Sequence, residues 1–331
     1  MTANAQTELG VGQPQEPVLE EVAATRVAIL LSTYNGERFL EAQLDSLLAQ
    51  THKNIIIVMR DDGSTDSTRA ILQRYADAHP ALFHQLEDDG CNRRPSGSFS
   101  LLCEYVLNRS DSLGLKRNSL VACFCDQDDV WATDKVEKSV TALLAAEAGD
   151  KTKPVLVHSD LRVVDASLKP IAPSFVRYQG LEIERREFAH LAVSNLVTGC
   201  TACFNGALLD IALPVPKRAI MHDWWLAMAA TAFGDLVYLD ETPIAYRQHE
   251  DNAVGAKPKD STLQPKRLIA RLLALSCNEH LIEVALQAKE FSRVFGGKLS
   301  FSQRKALFFC SRMKTRSGWA QRLFYRLARA S

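Results

Sequence analysis

Hydrophobic and polar positions follow two periods along the chain. Short apolar runs such as residues 27–31 and 120–125 predict buried β-strands, because a strand covered on both faces is apolar throughout. Elsewhere apolar residues recur every three or four positions, as over residues 37–50, which predicts helices that bury one face. The predicted strands are 27–31, 55–59, 82–86, 120–125 and 155–158, and the predicted helices are 37–50, 68–78, 99–107 and 135–148.

Strands and helices alternate in this pattern from residue 26 to about residue 253. Such alternation predicts an α/β fold of Rossmann-like type, with a mostly parallel central sheet and helices on both faces. In sheets of this kind, ligands bind beyond the carboxyl ends of the strands. We therefore expect the functional site at that edge.

Polar clusters follow three of the predicted strands, at residues 32–36, 61–66 and 126–129. The first two have a structural alternative, since Asn-Gly and Asp-Gly are turn dipeptides and their polar residues can cap the next helix. The first cluster also lacks the G-x-G-x-x-G sequence of dinucleotide-binding folds. Because all three clusters meet at one edge of the sheet, we expect them to form one site.

The third cluster, Asp126-Gln127-Asp128-Asp129, places three carboxylates within four residues after a buried strand. Clustered anions repel each other and lose hydration, so the arrangement is unfavourable for stability alone. In an extended chain, Asp126 and Asp128 face one side while Gln127 points away. Converging carboxylates suit Mg²⁺ or Mn²⁺, and these ions in turn bind diphosphates.

The composition is that of a globular protein in a reducing compartment. Of its 331 residues, 47% are hydrophobic and 24% are charged, which is ordinary for soluble domains. The eight cysteines lie mostly in apolar stretches, as buried free thiols do. Residues 1–26 lack the apolar core of a signal peptide, and the longest apolar run, 224–233, is about half of a membrane span. We expect a cytoplasmic location.

The zero net charge hides a division of the chain. Residues 293–331 hold ten basic and no acidic residues, so residues 1–292 carry 29 basic against 39 acidic ones, because the whole chain has 39 of each. Residues 1–25 are rich in Gln, Glu and Pro without periodicity, which predicts a disordered tail. The predicted parts are a tail at 1–25, an α/β domain at 26–252 and a basic helical extension at 253–331.

The basic extension alternates positive charges with large apolar residues such as Trp319 and Leu323. Helices of this kind can lie on the anionic inner face of the plasma membrane, and residues 291–331 are the candidate segment. They can also pack on an acidic parent domain. Nucleic acid is not an expected partner, because no RNA- or DNA-binding motif accompanies the charge.

Seven segments resemble the family-2 glycosyltransferases of the GT-A fold, and among them the bacterial rhamnosyltransferase-like members. They are VAILLSTYNG at 27–36, SLLAQ at 46–50, VMRDDGSTD at 58–66, DQDDVW at 126–131, VTGCTACFN at 197–205, HDWW at 222–225 and YRQH at 246–249. The similarity covers residues 26–252. It implies inverting transfer of a sugar from a nucleoside diphosphate donor.

The resemblance assigns donor contacts to residues at the strand ends. Ser32 and Tyr34 would line the base pocket, and Asp62 would accept a hydrogen bond from the pyrimidine imide. Asp126 would lie near the ribose or the metal, and Arg247 would contact phosphate. The donor would be dTDP- or UDP-linked, with dTDP-rhamnose as the specific expectation.

The resemblance also implies a divalent cofactor, Mg²⁺ or Mn²⁺, with Asp126, Asp128 and His249 as ligands. Asp128 would hold the cation that bridges the diphosphate and neutralises it as it leaves. His249 would either complete the coordination as a neutral imidazole or hydrogen-bond phosphate. Asp129 would face away and orient its neighbours.

By the same resemblance, Asp223 is the general base that deprotonates the acceptor hydroxyl. The structural alternative for Asp223 is an N-cap of the following helix. At a helix start the dipole would keep this carboxylate ionised and weakly basic until substrate and metal exclude water. The residues expected near the donor sugar or the acceptor are Gly199, Thr201, Asp160, His222 and Trp224.

The expected function is therefore metal-dependent inverting transfer of a sugar to a saccharide or lipid-linked saccharide in cell-envelope polysaccharide synthesis. Two alternatives stay open. A non-catalytic sugar-nucleotide-binding or scaffold protein would keep the fold without turnover. The chain retains Asp62, Asp128 and Asp223, whereas relaxed selection would tend to erode at least one of them. A nucleotidyltransferase would release pyrophosphate instead of a nucleoside diphosphate, and the chain lacks the Gly-rich loop with Arg and Lys expected of such enzymes.

Overall fold

A seven-stranded sheet forms the centre of the computed structural model, which describes residues 16–87, 90–250 and 278–331. The strands are β1 Val27–Thr33, β2 Ile55–Asp61, β3 Phe83–Gln85, β4 Val121–Cys125, β5 Val130–Trp131, β6 Val155–Ser159, β7 Arg162–Asp165, β8 Pro170–Ala172, β9 Cys203–Asn205, β10 Asp235–Leu239 and β11 Ile244–Gln248. The order in the large sheet is β10-β6-β9-β4-β1-β2-β3, and a smaller sheet has the order β5-β11-β7-β8.

Helices surround the large sheet. They are α1 Glu16–Ala24, α2 Leu40–Leu48, α3 Thr68–Ala78, α4 Arg94–Asn108, α5 Lys135–Glu147, α6 Phe175–Gln179, α7 Phe188–Leu191, α8 Gly206–Ala212, α9 His222–Phe233, α10 Glu279–Phe295, α11 Phe301–Arg312 and α12 Gly318–Arg329. Short 3₁₀ turns lie at Asp111–Leu113, Arg117–Ser119 and Gly199–Thr201. The α/β architecture with a carboxyl-terminal helical part agrees with the predicted fold class.

Alternate residues of the strands supply two separate cores. Ala28 and Leu30 of β1 face the side covered by α4, α8 and α9, while Ile29 and Leu31 face the side covered by α2 and α5. These four side chains are completely buried. Because both faces of the sheet are covered, its central strands are apolar at successive positions until polar residues appear near their carboxyl ends, and these apolar runs made them recognisable in the sequence.

Parallel pairing dominates the large sheet, as predicted. β1 pairs in parallel with β2 and β4, β2 with β3, and β6 with β10. The exception is β9, which runs antiparallel between β4 and β6. Since β9 follows directly on the turn Gly199–Thr201, its insertion brings this turn beside the carboxyl end of β4.

The smaller sheet holds two predicted motifs side by side. β5 follows the acidic loop after β4 and pairs antiparallel with β11, with Trp131 opposite Ile244. β11 in turn pairs in parallel with β7 and leads directly to His249. The acidic loop and the YRQH segment are therefore neighbours in space although more than a hundred residues separate them.

The amino-terminal segment differs from the prediction. Residues 16–24 form helix α1 instead of belonging to a disordered tail, while residues 1–15 lie outside the described residues. Val22 is 3% exposed and joins the core, and Glu21 pairs with Lys151 beyond α5. The buried valine and the ion pair hold α1 against the domain. The helix was not predicted because nine residues are too few to show a clear helical period of apolar positions.

The helices α10, α11 and α12 pack on the α/β domain, which is the packing alternative considered for the basic extension. Phe291, Phe295 and Leu307 are buried in the same core as Trp225, whose ring centroid lies 5.0 Å from that of Phe291. Residues 253–277 of the predicted extension lie outside the described residues. Within the described part of the chain, no helix has the length and apolar character needed to cross a bilayer.

Candidate active site

A cavity of about 510 Å³ opens at the carboxyl edge of the large sheet. Residues at the ends of β1, β2 and β4 line it, together with residues 195–199 and the start of α9. The predicted site residues that line it are Ser32, Tyr34, Asp62, Asp126, Asp128, Gly199, His222 and Asp223. The fold thus brings together the polar clusters that the sequence analysis assigned to one site.

The loop after β4 bends, and the bend changes one predicted orientation. Asp126 and Asp128 line the cavity as predicted, but Gln127 lines it too. Gln127 Oε1 accepts a hydrogen bond from the Tyr34 N–H at 2.8 Å, and Gln127 Nε2 donates to the Tyr34 carbonyl at 3.0 Å. The prediction that Gln127 points away assumed that the chain stays extended. Side chains alternate between the two faces only within a strand, so the prediction is wrong beyond the end of β4. Gly36 leaves room for this contact, because a Cβ there would overlap Gln127 Oε1.

Asp129 faces away from the cavity, as predicted. It is fully buried, and its Oδ1 accepts the Arg247 backbone N–H at 3.2 Å. Asp126, Asp129 and Cys200 place potential ligand atoms within 4.8 Å of one another. However, burial raises the pKa of Asp129 and of the Cys200 thiol, so both groups favour the protonated forms that bind metals poorly. We therefore interpret Asp129 and Cys200 as support for the loop.

Asp128 and His249 form a contact that suits a metal site. His249 Nε2 lies 2.9 Å from Asp128 Oδ2, and the ring of Phe39 packs against the imidazole with centroids 4.7 Å apart. Burial, followed by the charges of Asp128 and Asp223, raises the pKa of Asp126 to about 7. A divalent cation would relieve this repulsion, and carboxylates and imidazole are ligand types that Mg²⁺ or Mn²⁺ accept.

Asp223 lies in the first turn of α9, and the N-cap position belongs to Met221. The Trp224 N–H donates to Asp223 Oδ1 at 2.5 Å, and Asn195 Nδ2 donates to the same oxygen at 3.3 Å. Burial nevertheless raises the pKa of Asp223 to about 7. This corrects the expectation of a weakly basic carboxylate, since desolvation outweighs the hydrogen bonds and the helix dipole before any substrate binds. Sequence reasoning missed Asn195, which no motif marked.

His222 lies next to the candidate base in a fully apolar setting. Its ring stacks on Phe99 at 4.4 Å between centroids and meets Phe124 edge-on at 4.6 Å. Burial lowers the pKa of His222 to about 3, so the imidazole is neutral. Neither ring nitrogen has a hydrogen-bond partner among the described residues. A Cβ on Gly199 would lie 3.3 Å from His222 Nε2, which explains why the smallest residue stands there.

Asp62 lines the cavity but already has protein partners. The Arg60 guanidinium pairs with Asp62 Oδ1, and the Arg93 backbone N–H donates to both carboxylate oxygens at 2.9 Å. Arg60 is itself 3% exposed and also donates to Ser98 Oγ at 3.1 Å. Sequence reasoning missed Arg60, and the available signal was a charged residue inside an apolar strand. The imide contact of Asp62 stays a prediction.

The two residues predicted for the base pocket differ in exposure. Ser32 Oγ donates to Ser98 Oγ at 2.7 Å, so its hydroxyl is held in place inside the cavity. The side chain of Tyr34 is 49% exposed, while its backbone is held by the amide group of Gln127. An exposed ring on a fixed backbone can stack on a planar ligand. Both nucleobase contacts remain predictions.

Some predicted site residues lie behind the cavity instead of in its lining: Thr201, Asp160, Trp224, Arg247 and His249. Asp160 accepts hydrogen bonds from the Ser174 hydroxyl and from two backbone N–H groups, and thereby fixes the start of α6. The indole of Trp224 and the hydroxyl of Thr201 both donate to backbone carbonyls. These polar atoms have structural partners that occupy them.

Arg247 supports the acidic loop from below. Its Nε donates to the Asp128 carbonyl at 2.8 Å, and its Nη1 donates to the Ala166 carbonyl at 2.7 Å. Its guanidinium carbon lies 4.6 Å from the centroid of the Phe39 ring. This placement does not favour the predicted phosphate contact, because the guanidinium is directed at the backbone that carries Asp128.

Comparisons with known proteins identify a family and relatives that the chain resembles. Residues 28–152 match the model of the family Glycosyl transferase family 2. The chain is 28% identical over 239 residues to the dTDP-rhamnosyl transferase RfbG of Shigella flexneri, a match that covers 68% of this chain and 74% of that protein. The sequence likeness covers more of the chain than the 125 residues that match the family model.

Solved structures show the same fold at low sequence identity. The mannosyltransferase PcManGT of Pyrobaculum calidifontis, in complex with GDP-Man and Mn²⁺, has a TM-score of 0.54 at 18% identity, covering 92% of this chain and 73% of its own. GalNAc-T7 with UDP, GalNAc and Mn²⁺ has a TM-score of 0.50 at 13% identity, covering 82% and 54%. The fold is that of the GT-A glycosyltransferases, and together with the matches in sequence it indicates a glycosyltransferase. More narrowly, residues 28–152 match glycosyltransferase family 2, and the chain is similar over a longer stretch to a dTDP-rhamnosyl transferase.

Proposed function

We propose that the enzyme moves a sugar from a nucleoside diphosphate donor to a hydroxyl group of a saccharide acceptor, with inversion at the anomeric carbon. The observation that carries this proposal is the presence of the Asp128–His249 pair and the buried Asp223 in and around one cavity. The pair suits a cation that binds diphosphate, and the buried acid suits removal of a proton.

The cofactor of this reaction would be Mg²⁺ or Mn²⁺. Asp128, His249 and Asp126 are the residues that would hold it. The neighbouring structures of PcManGT and GalNAc-T7 contain Mn²⁺, which supports a divalent ion in this family member as well. When bound, the ion supplies positive charge that stabilises the leaving diphosphate.

Asp223 acts as the general base. It takes the proton from the acceptor hydroxyl while that oxygen forms a bond to the anomeric carbon. The bond from this carbon to the diphosphate oxygen breaks, and the nucleoside diphosphate leaves with the electron pair. A carboxylate with a pKa of about 7 is suited to this task near neutral pH. The neutral ring of His222 can orient a sugar hydroxyl beside it, since its nitrogens lack partners among the described residues.

The donor would be dTDP-rhamnose. The likeness to a dTDP-rhamnosyl transferase supports this choice over other nucleotide sugars. Tyr34, Ser32 and Asp62 would form the pyrimidine pocket, and all three line the cavity.

The acceptor would be a saccharide or lipid-linked saccharide of the cell envelope, reached at the inner face of the plasma membrane. Trp319, Leu323 and Leu327 of α12 are 67%, 39% and 36% exposed, which supports contact with a lipid surface. Their spacing of four residues places them on one side of the helix. Basic helices with such an apolar stripe bind anionic bilayers.

Membrane contact is tested by flotation with phosphatidylglycerol liposomes. The variant Trp319→Ser/Leu323→Ser should lose flotation, because it removes the apolar stripe without touching the core. The matched control is Leu168→Ser/Ile171→Ser, which removes two side chains that are 40% and 48% exposed at the β7–β8 hairpin. Equal flotation of both variants would contradict membrane contact through α12.

Transferase activity is tested by a thermal-shift screen of nucleotide sugars with Mn²⁺, because a ligand selective for the native state raises the Tm. Donors that bind are then incubated with candidate saccharides, and the products are analysed by NMR. We expect a selective shift with dTDP-rhamnose, release of dTDP and an inverted anomeric configuration. Release of pyrophosphate would indicate nucleotidyl transfer, and binding without turnover with any acceptor would indicate a non-catalytic protein.

A further inference from the structure

The side chain of Gln127 joins the two halves of the active-site cavity. Tyr34, proposed to bind the nucleobase, lies in the loop after β1, and Asp128, proposed to hold the cation, lies in the loop after β4. The parallel pairing of β1 with β4 ends at Leu31 and Cys125. Beyond this last pair, Gln127 Oε1 accepts a hydrogen bond from the Tyr34 N–H at 2.8 Å, and Gln127 Nε2 donates to the Tyr34 carbonyl at 3.0 Å. The amide therefore continues the connection between the two strands past their ends.

Glutamine is the residue type that this contact requires. A primary amide carries both a donor and an acceptor, so it can satisfy the N–H and the carbonyl of Tyr34 at the same time. A carboxylate at position 127 could not donate to that carbonyl, and it would add a negative charge between Asp126 and Asp128. The room for the amide comes from Gly36, where a Cβ would overlap Gln127 Oε1. The neutral side chain in the middle of the acidic loop thus serves the geometry of the loop.

Each of the two loops is also held by a different part of the fold. In the loop after β1, the Asn35 N–H donates to Ser64 Oγ at 2.8 Å, which ties this loop to the one after β2. In the loop after β4, the Asp128 carbonyl accepts a hydrogen bond from Arg247 Nε of β11 at 2.8 Å. The Gln127 amide therefore fixes where one anchored loop lies relative to the other.

We propose that Gln127 is a positioning residue, which fixes the distance between the nucleobase half-site at Tyr34 and the diphosphate half-site at Asp128. This rests on the proposed function. A ligand that carries both groups gains from a fixed distance, since binding of one group holds the other at a high effective concentration beside its own half-site. A nucleoside alone or a diphosphate alone uses one half-site and gains nothing from that distance. The amide thus favours ligands in which base and diphosphate are joined.

The test compares a joined ligand with its two parts. The Kd values of dTDP with Mg²⁺, of thymidine without metal and of inorganic pyrophosphate with Mg²⁺ are measured by calorimetry, or by NMR titration for weak binding. Gln127→Met keeps the length of the side chain and removes both hydrogen bonds to Tyr34. We expect this variant to weaken dTDP binding by about tenfold or more, and to change the Kd of each part by less than about twofold.

The matched control is Gln73→Met. It removes an amide from the exposed face of α3, where Gln73 Nε2 donates to Asp77 Oδ1 at 2.7 Å, and it should change none of the three Kd values. If UDP binds the unmodified protein in place of dTDP, uridine replaces thymidine in the same comparison.

Hydrogen exchange of the Tyr34 amide follows the contact directly. Because Gln127 accepts this N–H, exchange at Tyr34 should become about tenfold faster in Gln127→Met. The Tm should change little, since hydrogen bonds at exposed positions contribute little to stability. Gly36→Ala displaces the same amide from the side of the other loop, so it should reproduce the loss of dTDP affinity and the faster exchange. This second variant keeps the test decisive if Gln127→Met does not fold.

Two results would overturn the positioning role while leaving the proposed function in place. Equal weakening of dTDP, thymidine and pyrophosphate would show that Gln127 supports the cavity in general. Unchanged dTDP binding together with faster exchange at Tyr34 would show that the distance between the half-sites does not matter. Failure of the proposed function gives a different result, because neither dTDP nor UDP would then bind the unmodified protein with Mg²⁺, and the positioning role would fall with it.

Discussion

At the scale of single residues, protonation in this site is decided by burial that the local sequence does not reveal. The HDWW segment marks Asp223 as a candidate base, but its neighbour Asn195 is 28 residues away. The apolar surroundings that raise the pKa of Asp223 and lower that of His222 come from several elements. The motif could therefore nominate Asp223 as a candidate, whereas the pKa of its carboxyl group depends on the folded environment.

Replacing Asp223 by Asn keeps the shape of the side chain and removes its ability to accept a proton. We expect kcat to fall about 10²- to 10⁴-fold, which is the usual contribution of a general base. The Kd of the donor, measured by calorimetry with Mn²⁺, should not change. The control is Asp235→Asn at the half-exposed start of β10. Turnover within about threefold of the unmodified enzyme would exclude Asp223 as the base.

The activity should also depend on pH near neutrality. A base works in its deprotonated form, so kcat/KM should rise with pH and reach a plateau above the pKa of about 7 given by burial of Asp223. At pH 6, about a tenth of the carboxyl groups would be ionised. Rates are measured from pH 5 to 9 with saturating Mn²⁺, which keeps Asp126 ionised. A rise centred near pH 4, or one that persists in Asp223→Asn, would contradict the assignment.

The metal ligands allow a separate test of donor binding. We expect Asp128→Ala to weaken Mn²⁺-dependent donor binding by roughly tenfold or more, because it removes a charged ligand and the partner of His249. The control Asp165→Ala removes an acid at the end of β7, where its carboxylate accepts a hydrogen bond from Ser167 of the following turn. Calorimetry with dTDP-rhamnose and Mn²⁺ measures both. Donor affinity that is equal in the two variants would show that Asp128 is not a ligand.

At the scale of elements, apolar runs were sufficient to predict the parallel strands β1, β2, β3, β4 and β6, whereas the parallel strand β10 was not among the predictions. The three-residue strand β9 was not predictable, because so short a segment shows no period and its antiparallel direction is set by pairing with β4 and β6. The N-terminal helix was missed because a single residue, Val22, anchors it in the core. The bend after β4 was missed for a similar reason, since Gln127 is held by Tyr34 from another loop.

The contact between these two loops can be broken at Gly36. A methyl group there would overlap the Gln127 side chain, so Gly36→Ala should displace the amide and destabilise the protein by about 1–3 kcal/mol. Donor affinity should fall too, because the Tyr34 backbone loses its support. Gly297→Ala is the matched control, since nothing lies near its Cβ position. Chemical denaturation and donor calorimetry measure both effects, and identical behaviour of the two variants would show that the loop contact is unimportant.

At the scale of the whole molecule, the carboxyl-terminal helices are part of the fold of the catalytic unit. Their positive charge alone suggested a segment separate from the α/β domain. Composition gave no sign of the packing, because it says nothing about which face of a helix is buried. Phe291 and Phe295 pack against Trp225 of α9, while basic side chains cover the outer surface. Removing residues 291–331 would expose this core, which is why point variants are needed to study the surface of α12.

The contribution of this packing to the free energy of unfolding can be measured by truncating one aromatic side chain. Phe291 is completely buried, so Phe291→Ala should reduce the free energy of unfolding by about 3–5 kcal/mol. Phe301 is 78% exposed at the start of α11, and Phe301→Ala should change stability by less than about 0.5 kcal/mol. Urea denaturation followed by tryptophan fluorescence gives both values. A small effect at Phe291 would mean that α10 does not stabilise the enzyme.

The contact between α10 and the segment before α9 joins parts of the chain that are synthesised at different times. Gln287 is fully buried and accepts a hydrogen bond from the backbone N–H of Ile220 at 2.8 Å, just before α9, which carries Asp223 in its first turn. On the ribosome, Asp223 is polymerised long before Gln287. The segment that leads into α9 therefore gains this contact only after α10 has been synthesised.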